Sequence, residues 1–197
     1  MVCEGTTTEE AQAEGGGEEA MMSRDELARK IWDVSHLTGS FRLRSGAESN
    51  EYFDKYRFES DPVLLWEICA ALLPLIPNST QVLAGLELGG VPIATVLGQA
   101  SGLPVTFVRK AAKHYGTCRV AEGHDVTDRQ VVIVEDVITS GGQVVSSADE
   151  LRRLGATVQD SICVVERQSS GRSLLAANGI RLAALFSSDQ LATARGL

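Results

Sequence analysis

With 197 residues, 44% of them hydrophobic and 22% charged, the chain has the size and composition of one globular domain with a real core. A net charge of −8 excludes a general nucleic-acid binder, which carries a basic stripe. No apolar run reaches the roughly 20 residues of a membrane span, since Pro74 breaks residues 68–76.

Residues 1–22 are rich in Glu, Gly, Thr and Ala without apolar period, and are expected to form a disordered acidic leader. Six acids and no Lys or Arg fall in residues 1–20, so the rest of the chain is nearly balanced. The acidic start lacks the apolar stretch of a secretory signal. Cys3, Cys69, Cys118 and Cys163 are scattered without metal spacing, and Cys69 and Cys163 read as reduced core thiols. A cytoplasmic protein is the expectation, with residues 23–197 as a single domain.

Order should begin at Ser23, where Glu26 completes a capping box ahead of Leu27, Ala28, Ile31 and Trp32 at helical spacing. Residues 41–44 alternate like a strand, with residues 51–54 as partner. Asp61 and Pro62 open a helix whose apolar members lie in 63–73. A strand over 82–86 leads through Glu87, Leu88, Gly89 and Gly90 to a helix starting near Pro92 and ended by Gly102. Further strands are predicted over 104–108, 130–134, 161–165 and 180–186, with Asn178 and Gly179 closing a helix before the last. Short apolar runs alternating with helices argue for an α/β parallel sheet, whose ligands lie beyond the carboxyl ends of the strands.

Five stretches carry candidate chemistry, with the acid pair and the Gly-Gly turns at such ends. The run 131–134 stops at Glu135 and Asp136; then come Val137, Ile138, Thr139, Ser140, Gly141, Gly142 and Gln143, opening a helix. Backbone N–H groups, hydroxyls and a helix N-terminus around one point suit a phosphate. The acids instead suit sugar hydroxyls or a metal, and neighbouring carboxylates ending a buried strand are costly without a partner. Gly89 and Gly90 either let the backbone approach an anion or simply make a tight turn. Arg109, Lys110 and Lys113 put three cations in five positions outside a regular helix, as a solvated loop or an anion clamp. Tyr52 and Phe53 beside a strand usually mean core packing, and a lone Arg167 at a strand end usually means a surface ion pair.

The acid-pair segment resembles the phosphoribosyl-pyrophosphate (PRPP) motif of type I phosphoribosyltransferases. It is neither a P-loop, lacking Lys after the glycines, nor GxGxxG, its glycines being adjacent. In order along residues 37–170, the other blocks are similar to orotate phosphoribosyltransferases. Phe41, Leu43, Arg44, Ser45 and Gly46 resemble a Phe-x-Leu-Lys-Ser-Gly block, with Arg44 in place of Lys. Arg109, Lys110, Lys113 and Gly116 resemble the catalytic loop Arg-Lys-x-x-Lys-x-His-Gly, with Tyr115 where His is usual and His114 before it.

The resemblance implies a mostly parallel central sheet flanked by helices, with a small N-terminal hood mainly over 23–60 and a flexible catalytic loop over 109–123. It implies transfer of the 5-phosphoribosyl group from PRPP to orotate. Lys113 and Asp136 would be catalytic. PRPP would be held by Arg44, Leu88, Gly89, Arg109, Lys110, Lys113, Tyr115, Glu135, Asp136 and the turn formed by Val137, Ile138, Thr139, Ser140, Gly141, Gly142 and Gln143. Orotate would be held by Tyr52, Phe53, Thr139 and Arg167, whose guanidinium suits a carboxylate. Mg²⁺ would arrive on PRPP without a direct protein ligand set. A homodimer sharing the 109–123 loop is implied, with neither nucleic acid nor membrane as partner. Two alternatives stand beside this: transfer to another nucleobase, and a non-catalytic PRPP-sensing regulator.

Overall fold

The structure, a computed structural model, describes residues 21–42, 46–111 and 119–196. Arg44, Lys113, His114 and Tyr115, and most of the leader, lie outside the described residues.

Helix α1 (Arg24–Ser35) starts as its sequence dictates, with Ser23 and Glu26 closing the reciprocal capping box. Strands β1 (His36–Arg42) and β2 (Glu48–Phe53) form a separate antiparallel ribbon, the hood. A four-residue helix α2 (Tyr56–Glu59) and α3 (Pro62–Leu72) follow, and Asp61 accepts from the N–H groups of Val63 and Leu64. That cap contributes about 1 kcal/mol.

The main sheet has the order β5-β4-β3-β6-β7-β8. Its strands are β3 (Val82–Leu86), β4 (Val105–Val108), β5 (Ala121–Gly123), β6 (Gln130–Ile138), β7 (Thr157–Glu166) and β8 (Arg181–Ser187). All neighbours are parallel except β5, which runs antiparallel along the β4 edge. Helices α4 (Gly90–Ser101), α5 (Gly142–Arg153), α6 (Ser169–Ala177) and α7 (Ser188–Ala194) complete the chain.

Strand alternation splits the core. Leu83, Val132 and Val134 pack with Ile31, Leu64, Ile68 and Leu97 on one face, while Val82, Ala84 and Ile133 pack with Val144, Leu151 and Leu175 on the other. Cys69 and Cys163 are free and buried, and burial pushes both thiols up, Cys69 to about 12. No helix among the described residues is long and apolar enough to cross a membrane.

Several boundaries differ from the sequence reading, and β1 and β2 begin at His36 and Glu48, ahead of the expected 41–44 and 51–54. Helix α4 opens at Gly90, two residues before Pro92, because a proline is tolerated in the first turn. Strand β6 does not stop at the acids: Val137 and Ile138 stay paired with Val165 and Glu166. Strand β7 begins at Thr157, since its polar first half alternates exposed and buried residues. Short elements β5, α2 and α7 carry too little period to be read in advance.

Candidate active site

The carboxyl ends of β3 and β6 converge with the α2 entry on a cavity of about 260 Å³. Leu88, Lys110, Glu135 and residues 137–143 line it, with Lys55, Tyr56, Glu87 and Val144. A second cavity of about 300 Å³, between the hood and α7, is lined by Tyr52, Phe53, Arg167, Trp32 and His36 among others. Val137 borders both. Thus Tyr52, Phe53 and Arg167 share one space, and Thr139 lies in the other.

The 139–142 turn is fixed by glycines at close approaches. Gly141 has φ +76°, where an L side chain is strained, and a Cβ on Gly171 of α6 would stand 2.5 Å from the Thr139 carbonyl oxygen. The first amides of α5 therefore face the cavity without intrahelical acceptors.

Glu135 and Asp136 have different fates. Alternation places Asp136 on the face of Val132 and Val134, where it is fully buried and does not line the cavity. Lys55 Nζ lies 2.5 Å from its Oδ2, and the Val137 N–H donates to its Oδ1. Burial alone would lower the Lys55 pKa; the hydrogen bond and charge of Asp136, with Glu135 behind them, outweigh it and raise the value above that of an ordinary lysine. Glu135 lines the cavity, and its Oε2 is buried without a hydrogen-bond partner among the described residues. Burial first, and the Asp136 charge second, push its carboxyl up to about 9. A lysine of this chain is thus the partner of Asp136, the inner of the two acids.

Gly89 packs its α-carbon face onto the protein's own carboxylates: a Cβ there would lie 1.5 Å from Asp136 Oδ2 and 2.6 Å from Glu59 Oε1. The bond between Glu87 and Leu88 is cis, and Leu88 is exposed at the cavity. Glu87 accepts from the Lys110 N–H, tying the glycine loop to the start of the basic segment. Arg109 hydrogen-bonds through its N–H to the Val120 carbonyl and does not line the cavity.

Arg167 is held by its N–H to the Ile138 carbonyl, 2.8 Å away. Neighbouring Glu166 is engaged by Arg172 in three contacts of 2.5–3.2 Å. Among the described residues Arg167 makes no ion pair, so its guanidinium stands at the cavity wall with its charge unspent.

A family model for the phosphoribosyl transferase domain matches residues 64–176. The orotate phosphoribosyltransferase of a Nocardioides species is 47% identical over 169 residues, covering 86% of this chain and 94% of that protein. The chain belongs to the orotate phosphoribosyltransferase family. The Halobacterium salinarum orotate phosphoribosyltransferase is 44% identical over 153 residues, covering 78% of this chain and 87% of its own length. Crystal structures of the Mycobacterium tuberculosis orotate phosphoribosyltransferase superpose with TM-scores of 0.77 in complex with Fe(III) dicitrate and 0.74 in complex with PRPP. Their identities are 30% and 27%, over 85% and 86% of this chain and 98% of each solved chain.

Three residues in and beneath the first cavity escaped the sequence reading: Lys55, Glu59 and Glu87. Lys55 and Glu59 fall in a mixed-charge run, Asp54 to Ser60, that reads as a solvated linker. The signal for Lys55 was the unpaired cost of Glu135 and Asp136, which demanded a cation without saying where it came from.

Proposed function

We propose that this protein transfers the 5-phosphoribosyl group of PRPP to orotate, releasing pyrophosphate and forming orotidine 5′-phosphate, a step of pyrimidine synthesis. The observation that carries it is the meeting of the two cavities at Val137. One has a phosphate turn and an unpartnered carboxylate oxygen; the other has aromatics and an unpaired guanidinium.

The 5-phosphate sits in the 139–143 turn on backbone N–H groups and hydroxyls. Glu135 accepts from the ribose hydroxyls, and Asp136 supports it from below. Arg167 takes the orotate carboxylate, with Tyr52 and Phe53 against the flat ring, so that a ring nitrogen faces C1 of the sugar. Leaving pyrophosphate gathers negative charge, and Lys110 with Lys113 meets it; a well-placed donor contributes roughly 3 kcal/mol there. Arg109 supports the base of the 109–123 loop, and Arg44 and Tyr115 add contacts from the hood and the loop. The closing loop excludes water, which otherwise captures the sugar cation.

Mg²⁺ would enter this cavity on PRPP, held chiefly by the diphosphate and without a direct protein ligand set. When bound, it neutralises the leaving group. The protein acts in the cytoplasm as a homodimer whose 109–123 loop reaches the neighbouring site. Exposed Val63 and Trp66, three residues apart on one face of α3, supply apolar surface for a second copy.

Pyrophosphate release measured with PRPP, Mg²⁺ and each of orotate, uracil, adenine and hypoxanthine tests the reading. Release with orotate alone is expected; preference for another base would reassign the acceptor.

A further inference from the structure

Under the phosphate turn lies a charge group that the transfer as described does not use. Glu59, the last residue of α2, is buried, and its Oε1 and Asp136 Oδ2 converge beneath the Gly89 backbone. Asp136 has Lys55 and the Val137 N–H as partners. Glu59 has neither, and among the described residues no donor reaches its Oε1. Two ionised carboxylates in so dry a place repel, whereas one proton between them makes the contact a hydrogen bond. That proton resides on Glu59, because the positive partners hold the charge of Asp136.

We propose that Glu59 is a positioning residue for PRPP: protonated, it donates to Asp136, and the pair seats Gly89 so that the 87–90 loop and Glu135 keep their binding geometry. This rests on the PRPP reading above. Glu59 does not line the cavity and acts through Asp136 and Gly89. The groups facing it are Asp54 and Lys55 ahead of α2, and Asp136 and Glu135 from β6; Gly89 above brings only backbone. Lys55 is the one cation in that set, so losing the Glu59 proton adds uncompensated negative charge beneath a site for a polyanion. Burial first, and Asp136 second, push the Glu59 carboxyl up to about 8, so the proton is kept at pH 7 and lost by pH 9.

Calorimetric binding of PRPP with Mg²⁺ to the full chain at pH 7 and pH 9 tests this in the wild type, Glu59→Gln and Glu59→Leu. With one group of pKa about 8 controlling competence, the wild-type Kd rises about tenfold between the two. Glu59→Gln keeps a donor and has no proton to lose, so its Kd changes less than about twofold. Glu59→Leu binds more weakly than wild type at pH 7 and shows no rise. A packing role alone would leave the Gln variant with the wild-type rise, and that result overturns the proposal, as does a wild-type Kd independent of pH. A wild type that binds PRPP at neither pH overturns the PRPP reading itself, and this inference with it.

Discussion

Gly89 rests directly on Asp136, so closely that a Cβ would stand 1.5 Å from the carboxylate oxygen. The oxygen has no room to retreat, being fully buried and tied to Lys55. Gly89→Ala must therefore shift the 87–90 loop or break the ion pair. Overpacking of this kind costs about 1–3 kcal/mol. A lower urea midpoint together with a raised KM for PRPP is expected; an alanine variant with wild-type values for both would show that the contact relaxes freely.

Arg167 distinguishes the two cavities. Arg167→Ala should raise the KM for orotate far more than that for PRPP. Arg167→Lys should restore only part of the loss, because an ammonium cannot pair a carboxylate through two parallel hydrogen bonds. Steady-state kinetics with each substrate varied in turn give the comparison, and equal effects on both substrates would remove Arg167 from the base pocket.

Lys113 lies outside the described residues, and its role comes from the motif. If it meets the leaving pyrophosphate, Lys113→Ala lowers kcat by about 10²–10³, while PRPP affinity falls modestly. Single-turnover rates and PRPP binding separate the two; unchanged turnover would clear Lys113 of the chemistry.

Stability should carry the signature of the buried acids. Glu59 and Glu135 have carboxyls raised to about 8 and about 9 in the fold, against 4.5 as the ordinary value. Between those limits the native state holds protons that the unfolded chain has released, so stability falls as pH rises. The contribution is complete below about pH 4.5 and lost by about pH 9. Urea midpoints at pH 6 and pH 9.5 should drop in the wild type and drop less in Glu135→Gln. Equal drops in both would mean that Glu135 is ionised throughout.

What the chain disclosed in advance follows from the range of each interaction. The caps at Ser23 and Asp61 and the turn after β6 are local, and the residues at hand determine them. The glycine turn ahead of α5 is legible because its parts are contiguous from Thr139 to Gln143. Lys55 and Glu59 are not, for they meet Asp136 only after some eighty residues of chain have folded back. For the glycines before α4 the residue types foretell a close approach, while the carboxylate on which Gly89 packs lies far along the chain. From sequence, a protein carboxylate and a ligand phosphate make the same demand on a backbone.

The most direct measurement follows orotate absorbance and pyrophosphate together in one mixture of protein, Mg²⁺, PRPP and orotate. Loss of one orotate for each pyrophosphate, with nothing released when orotate is omitted, is the predicted result. Pyrophosphate appearing while orotate persists would show hydrolysis in place of transfer, and would contradict the function assigned to these two cavities.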